Sequence, residues 1–273
     1  MKIITLFIVL FLGAFNLQAQ CPTTAVVLST QSEVDNFVAA YATICTDIPV
    51  DITVSSSSVT DISGLGFITS VDGSFEILNT NHSATIDFNN LVSVSGDLKF
   101  EYNHAVEIIS GFNSLTTIGG TLSFRTNEDL EEITGFNSLV TVGGSVSFSH
   151  FYDSDVSPIV PSMNSINGFN NVETMGGSLF IGLYRRITFN AFSNLETIGG
   201  SLAFSRTNFD DFTGLTLLER IEGGISFSCV NWNDDDTNAI NNFTSLESIG
   251  GSIGLTGFFD ECTTSVGLNF LNN

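Results

Sequence analysis

Positive charge is what this sequence has least of. Seven Lys and Arg stand against 29 Asp and Glu, a formal net charge of −22. That balance excludes nucleic acid, whose phosphates need clustered basic side chains, and it disfavours anionic membrane surfaces. As a plain property it suits the solubility of an exported rod. Histidine is almost absent. His82, His104 and His150 are the only three, and none stands in a motif with the nucleophile and partner base that catalysis requires, so no catalytic site is expected. Cysteine occurs four times, always singly, at Cys21, Cys45, Cys229 and Cys262. With no CxxC pair these read as disulfides rather than zinc ligands, and no cofactor is expected. Calcium is the one metal for which oxygen donors cluster, at Asp153 with Asp155, Asp210 with Asp211, and Asp234 to Asp236. None of these clusters has the spacing of a defined calcium loop.

Glycine and phenylalanine, by contrast, number 25 each, and both follow a repeat. The stretch GFNSLTTIGGTLSF from Gly111 to Phe124 returns as GFNSLVTVGGSVSF from Gly135 to Phe148. Equivalent anchor glycines are Gly73, Gly96, Gly120, Gly144, Gly177, Gly200, Gly223 and Gly251, spaced by 23, 24, 24, 33, 23, 23 and 28 residues. A near-constant period of this length marks a solenoid, whose units bury their apolar faces only by stacking. Five residues before the anchors stand Leu91, Leu115, Leu139 and their equivalents; two before stand Val94, Ile118 and Val142. Eight before, the column reads Leu65, Phe88, Phe112, Phe136, Phe169, Phe192, Leu215 and Phe243, rings expected to stack inside the coil. After each anchor, pairs such as Leu122 with Phe124 and Val146 with Phe148 alternate with Ser and Thr, the period-two pattern of a strand with one face inward. The anchor glycines fit the bends of the path, where positive φ carries no steric penalty for Gly. These observations predict an all-β fold: a parallel β-solenoid of about eight 23–24-residue coils with an N-terminal cap helix.

Residues 1–19 read as a signal peptide, with Lys2, an apolar core and Leu17-Gln18-Ala19 as the cleavage site. Gln20 before Cys21 is not the small residue a lipid anchor at that cysteine would want. The apolar stretch is short for a membrane span, and no other run could cross a bilayer. The chain is therefore expected to be exported, to the extracellular space or outer cell surface. Residues 20–50 form the cap, a short strand followed by a helix whose start is marked by a Thr30/Glu33 capping box. Val34, Phe37, Val38 and Tyr41 give that helix one apolar stripe. Four cysteines allow three pairings; Cys21–Cys45, bracketing the helix, and Cys229–Cys262 are favoured. The repeats fill 51–261, interrupted by insertions near 149–163 and 229–237. Residues 262–273 are read as a tail, the expected start of a further module.

The residues that follow the strand after each anchor are unusual in carrying aromatics and cations: Tyr102, Arg125, Phe151, Tyr152, Tyr184, Arg185, Arg186, Arg206 and Trp232. Four of the chain's seven basic residues are in this group. Stacking the coils aligns them along one edge, where aromatic area and directed guanidinium hydrogen bonds suit a glycan or a protein surface. A structural spacer without any ligand is the alternative.

The pattern GF-x-x-L-x-x-I-GG-x-L-x-F, preceded by C-P…Q-x-E-V-D-x-F…C-T, resembles the receptor L-domain family. These are the leucine-rich solenoids of insulin and epidermal growth factor receptors, here closest to secreted or surface proteins of Bacteroidetes-type bacteria. The resemblance covers about Cys21 to Leu255. It implies a right-handed β-helix with a cap helix, a role in binding or adhesion, and no catalytic residues to carry over. Relatives of that bacterial kind often end in a sorting module for surface attachment, which none of these residues resembles.

Overall fold

A computed structural model of the chain describes residues 20–150, 162–232 and 243–256. Among them the predicted architecture is present: a parallel β-solenoid with a single α-helix at its N-terminal end. From the strand Phe75–Leu78 onward each described coil runs through short strands on three sheets, whereas the first two coils carry the helix and a 3-10 turn, Ser63–Phe67, in place of a third-sheet strand. The long sheet has ten strands, from Val26–Leu28 to Ile253–Thr256; the second has nine, from Asp47–Ile48 to Ser248–Ile249; the third has seven, from Ile86–Asp87 to Asn231–Trp232. At about 4.8 Å per strand the long sheet extends roughly 43 Å along the stack. The third sheet was not legible in the repeat, because its strands vary from two residues, as in Glu132–Ile133 with one inward side chain, to six, as in Arg186–Ala191, so no fixed column marks them.

In the long sheet register is kept from coil to coil, whereas the third sheet shifts once, between Ile187 and Thr188. Leu122 pairs with Leu98 on one side and Val146 on the other, and Phe124 with Phe100 and Phe148. The even register sends every inward column into one core. Leu98, Leu122, Val146, Leu115, Leu139, Ile118 and Val142 have no exposed surface. The phenylalanines form two ladders within it. Phe112, Phe136, Phe169 and Phe192 stack at centroid spacings of 4.6, 4.7 and 5.0 Å. Phe100, Phe124 and Phe148 stack at 5.5 and 5.3 Å, and the two ladders meet edge-on, as at Phe100 and Phe112.

The glycines correct one expectation. The described anchors are not where φ turns positive; Phe112, Phe136, Phe169 and Phe192 take that conformation instead, at φ between 53° and 60°, some of them preceded by a glycine also at positive φ, such as Gly135 at 95°. Burial of the ring inside a stacked ladder offsets the left-handed backbone, which costs about 1–2 kcal/mol in a non-glycine residue. The paired glycines are required by space. A Cβ on Gly143 would lie 2.2 Å from the carbonyl oxygen of Gly119 in the preceding coil, and one on Gly176 would lie 2.1 Å from that of Gly143.

Behind the long sheet the chain turns over a buried polar ladder. The Asn103 side-chain oxygen accepts from the Thr80 backbone N–H at 3.0 Å and the Thr80 hydroxyl at 2.7 Å. Its Nδ2 donates to the Ile77 carbonyl at 2.9 Å, and its backbone N–H donates to Asn127 Oδ1 at 3.0 Å. Asn127 donates in turn to the Phe100 carbonyl. These side chains satisfy backbone groups that the bend removes from the sheet, as burial requires.

The cap is built as its sequence indicates. The helix Gln31–Tyr41 starts with a complete capping box: Thr30 Oγ1 accepts from the Glu33 N–H, and Glu33 reaches back to the Thr30 N–H. Val34 and Phe37 are buried, and Val38 closes on Gly64 in the first turn of the solenoid. A Cys21–Cys45 disulfide ties the two ends of this segment together. Cys229 is also disulfide-bonded; its predicted partner Cys262 lies outside the described residues. So do residues 1–19, read above as a signal peptide, the tail 262–273, Phe151, Tyr152, and the acidic clusters at Asp153, Asp155 and Asp234 to Asp236.

Candidate functional site

Alternation along the long sheet sends every second side chain outward, and register aligns these in two columns across the strands. One column runs Lys99, Ser123, Ser147, Phe180, Ala203; the other runs Glu101, Arg125, Ser149, Gly182, Ser205. Short side chains in the middle of this field leave an open groove of about 420 Å³. It crosses the five strands Leu98–Glu101, Leu122–Arg125, Val146–Ser149, Leu179–Gly182 and Leu202–Ser205. His150 and Tyr184, which follow two of these strands, complete its border.

Charge in the groove is small and already oriented. Glu101 accepts a 2.7 Å hydrogen bond from Ser123, which is nearly buried. Arg125 lies over the Tyr102 ring, 5.5 Å from its centroid. Arg206 lies over the Tyr184 ring at 4.9 Å and donates to its hydroxyl at 2.9 Å. Neither arginine forms an ion pair with a carboxylate among the described residues. Lys99 differs. It is held 2.9 Å from Glu76 and 2.8 Å from Asp97, and the Asp97 hydrogen bond, outweighing partial burial, keeps its ammonium well above the ordinary lysine range. For Asp97 burial works against ionisation, but Lys99 and the Thr121 N–H outweigh it and hold the carboxyl low.

The structure thus divides the sequence-predicted edge. Tyr102 with Arg125 and Tyr184 with Arg206 form two stacked pairs on the edge adjoining the groove. Arg185 instead donates to Asn164 at 2.8 Å, and Arg186 pairs with Asp210 at 3.0 Å, across strands of the third sheet. The backbone of Trp232 also belongs to the third sheet, paired with Phe209; its side chain is outside the described residues. The histidines are dispersed. His82 is buried and accepts from the Ile62 N–H, His104 faces Glu128 at 3.2 Å, and His150 borders the groove. Among the described residues, no group of three or more His, Cys, Asp or Glu side chains could hold a metal ion, and no helix is long and apolar enough to cross a membrane. Of the groove lining, sequence reasoning named Arg125 and Tyr184 and missed the serines, Glu101 and, most notably, Phe180. The only signal of Phe180 was an aromatic at a register where the other coils carry Thr, Glu, Lys, Ser, Ala or Gly.

The fold and this face define a repeat β-solenoid with a hydroxyl-lined groove on its longest sheet. Comparison with models of known families, with curated proteins and with solved structures finds no match to the chain.

Proposed function

We propose that the chain is a non-enzymatic binding or adhesion module, exported to the cell surface or beyond, that recognises protein or carbohydrate. The observation that carries this reading is the groove bordered by an arginine–tyrosine pair at each end. In a chain so poor in cations, two guanidiniums that pair with no carboxylate among the described residues and sit over tyrosine rings are pre-organised for a partner. The sequence points to an edge; the groove moves the contact onto the adjoining sheet face. Export is supported by the N-terminal signal pattern and by the Cys21–Cys45 bond, which suits an oxidising compartment. Kinship with receptor L-domains is proposed on the repeat pattern alone.

A spacer is the second reading, favoured by the unbroken register of the long sheet through all ten strands. The two separate in one experiment: a binding screen of the chain from Gln20 to Asn273 against glycan arrays and cell surfaces, with and without calcium. The module reading predicts a reproducible ligand whose affinity drops about tenfold or more in the Arg125→Ala/Tyr184→Ala double variant, with melting unchanged. Unchanged affinity in that variant removes the groove from the account, and silence on every surface favours the spacer.

A further inference from the structure

We propose that the groove takes a neutral oligosaccharide, laid across the strands with one sugar ring on Phe180. The proposal rests on the binding reading above and names the ligand class of that same site.

The lining is made of groups that match sugar hydroxyls. Ser147, Ser149 and Ser205 each donate and accept, Glu101 accepts, and Arg125 donates. Two half-buried aromatics lie among them, Tyr184 at the border and Phe180 on the floor. Phe180 occupies the register held by Ser147 in the coil before and by Ala203 in the coil after. Its ring is laid along its strand: a Cβ on Gly182 would come within 2.7 Å of Phe180 Cζ, so the ring fills the space that a side chain at 182 would take. A flat apolar surface lying among hydroxyls is what the C–H face of a pyranose packs against, while its equatorial hydroxyls reach the surrounding polar groups. A protein partner would ask for a broad interface anchored by several aromatic side chains, on the order of 800 Å² on each side. This trough offers one phenyl ring, Phe180, on an otherwise polar floor, with Tyr184 at its border.

Size and charge agree with the assignment. The groove's 420 Å³ falls within the roughly 300–1,000 Å³ usual for small-ligand sites. Strands recur every ~4.8 Å, close to the advance of one sugar in an extended polysaccharide, so successive sugars meet successive coils. The groove carries one carboxylate, Glu101, and one guanidinium, Arg125, which balance. The molecule around it carries −22, a field that repels a polyanion. A neutral chain meets neither penalty.

The test is calorimetric titration of the chain from Gln20 to Asn273 with cello-, xylo-, manno- and chitohexaose, and in parallel with hexagalacturonate and a hyaluronan hexasaccharide. At least one neutral hexasaccharide is expected to bind, and more tightly than either acidic one. Phe180→Ala is expected to weaken that binding about tenfold. The neighbouring coil already holds Ala at this register, so far-ultraviolet dichroism and melting should be unaltered. Gly182→Val, which evicts the ring, should give the same loss, and Arg186→Ala, on the third sheet, none. Binding confined to the acidic sugars, or neutral binding unaffected by both groove variants, overturns the proposal. Failure of every sugar, alongside a protein ligand that is lost with the Arg125→Ala/Tyr184→Ala variant, overturns the ligand class and leaves the binding module standing. Failure of sugars and proteins alike overturns both.

Discussion

Phe136→Ala is expected to lower the stability of the solenoid by about 3–5 kcal/mol, read as a shift of the urea midpoint. The ring is sandwiched between Phe112 at 4.6 Å and Phe169 at 4.7 Å, with Phe124 edge-on at 5.9 Å. Truncation removes both stacking faces and leaves a cavity in the middle of the rod, where coils on either side cannot collapse without leaving register. Phe136→Leu should lose less, since Leu65 and Leu215 already hold this column in other coils with no exposed surface. The left-handed backbone at Phe136 (φ 53°) sharpens the effect. Ala keeps the unfavourable backbone and gives up the ring burial that offsets it. A midpoint within ~0.5 kcal/mol of the parent would mean that the ladder is not a principal support of the core.

Asn103→Leu is the second large effect. Its side chain serves the Thr80 N–H, the Thr80 hydroxyl, the Ile77 carbonyl and Asn127, all in a buried setting. Leu fills the volume but leaves the Thr80 N–H and the Ile77 carbonyl without that partner, at roughly 1–3 kcal/mol for each orphaned group. A loss of about 3 kcal/mol or more is expected by chemical denaturation. The exposed ladder at Asn89, Asn113 and Asn137 is the contrast: Asn113→Ala, with water available to both neighbours, should change stability by less than about 0.5 kcal/mol. Equal losses at the two sites would contradict the role given to burial.

The solenoid itself was legible because its inward columns repeat. Leu115, Ile118, Leu122 and Phe124 recur with fixed spacing, and fixed spacing is what stacking demands. The glycines were legible as positions but not as causes. A run of GG looks like a bend, and only the distance from Gly143 to the carbonyl of Gly119 reveals a packing constraint. Asn103 and Asn127 passed unnoticed because a polar residue after a strand looks like a surface turn; the next coil is what buries it. The groove was hidden for a related reason. Serines on an outward face are ordinary, and Phe180 joins Ser147 only through a register that crosses the 33-residue spacing between two anchors. Of the residues that the sequence put on one edge, Tyr102 meets Arg125 and Tyr184 meets Arg206, while Arg185 and Arg186 reach Asn164 and Asp210.

The central claim is that partners meet the outer face of the long sheet between Glu101 and Ser205. Amide hydrogen exchange, measured on the chain with and without the ligand retained in the binding screen, tests it most directly. Added protection should concentrate in the strands Leu98–Glu101, Leu122–Arg125, Val146–Ser149, Leu179–Gly182 and Leu202–Ser205 and in the turns that follow them. Protection centred instead on the second sheet, around Thr117, Thr141 and Thr174, or on the third, around Arg186 and Asp210, would contradict it.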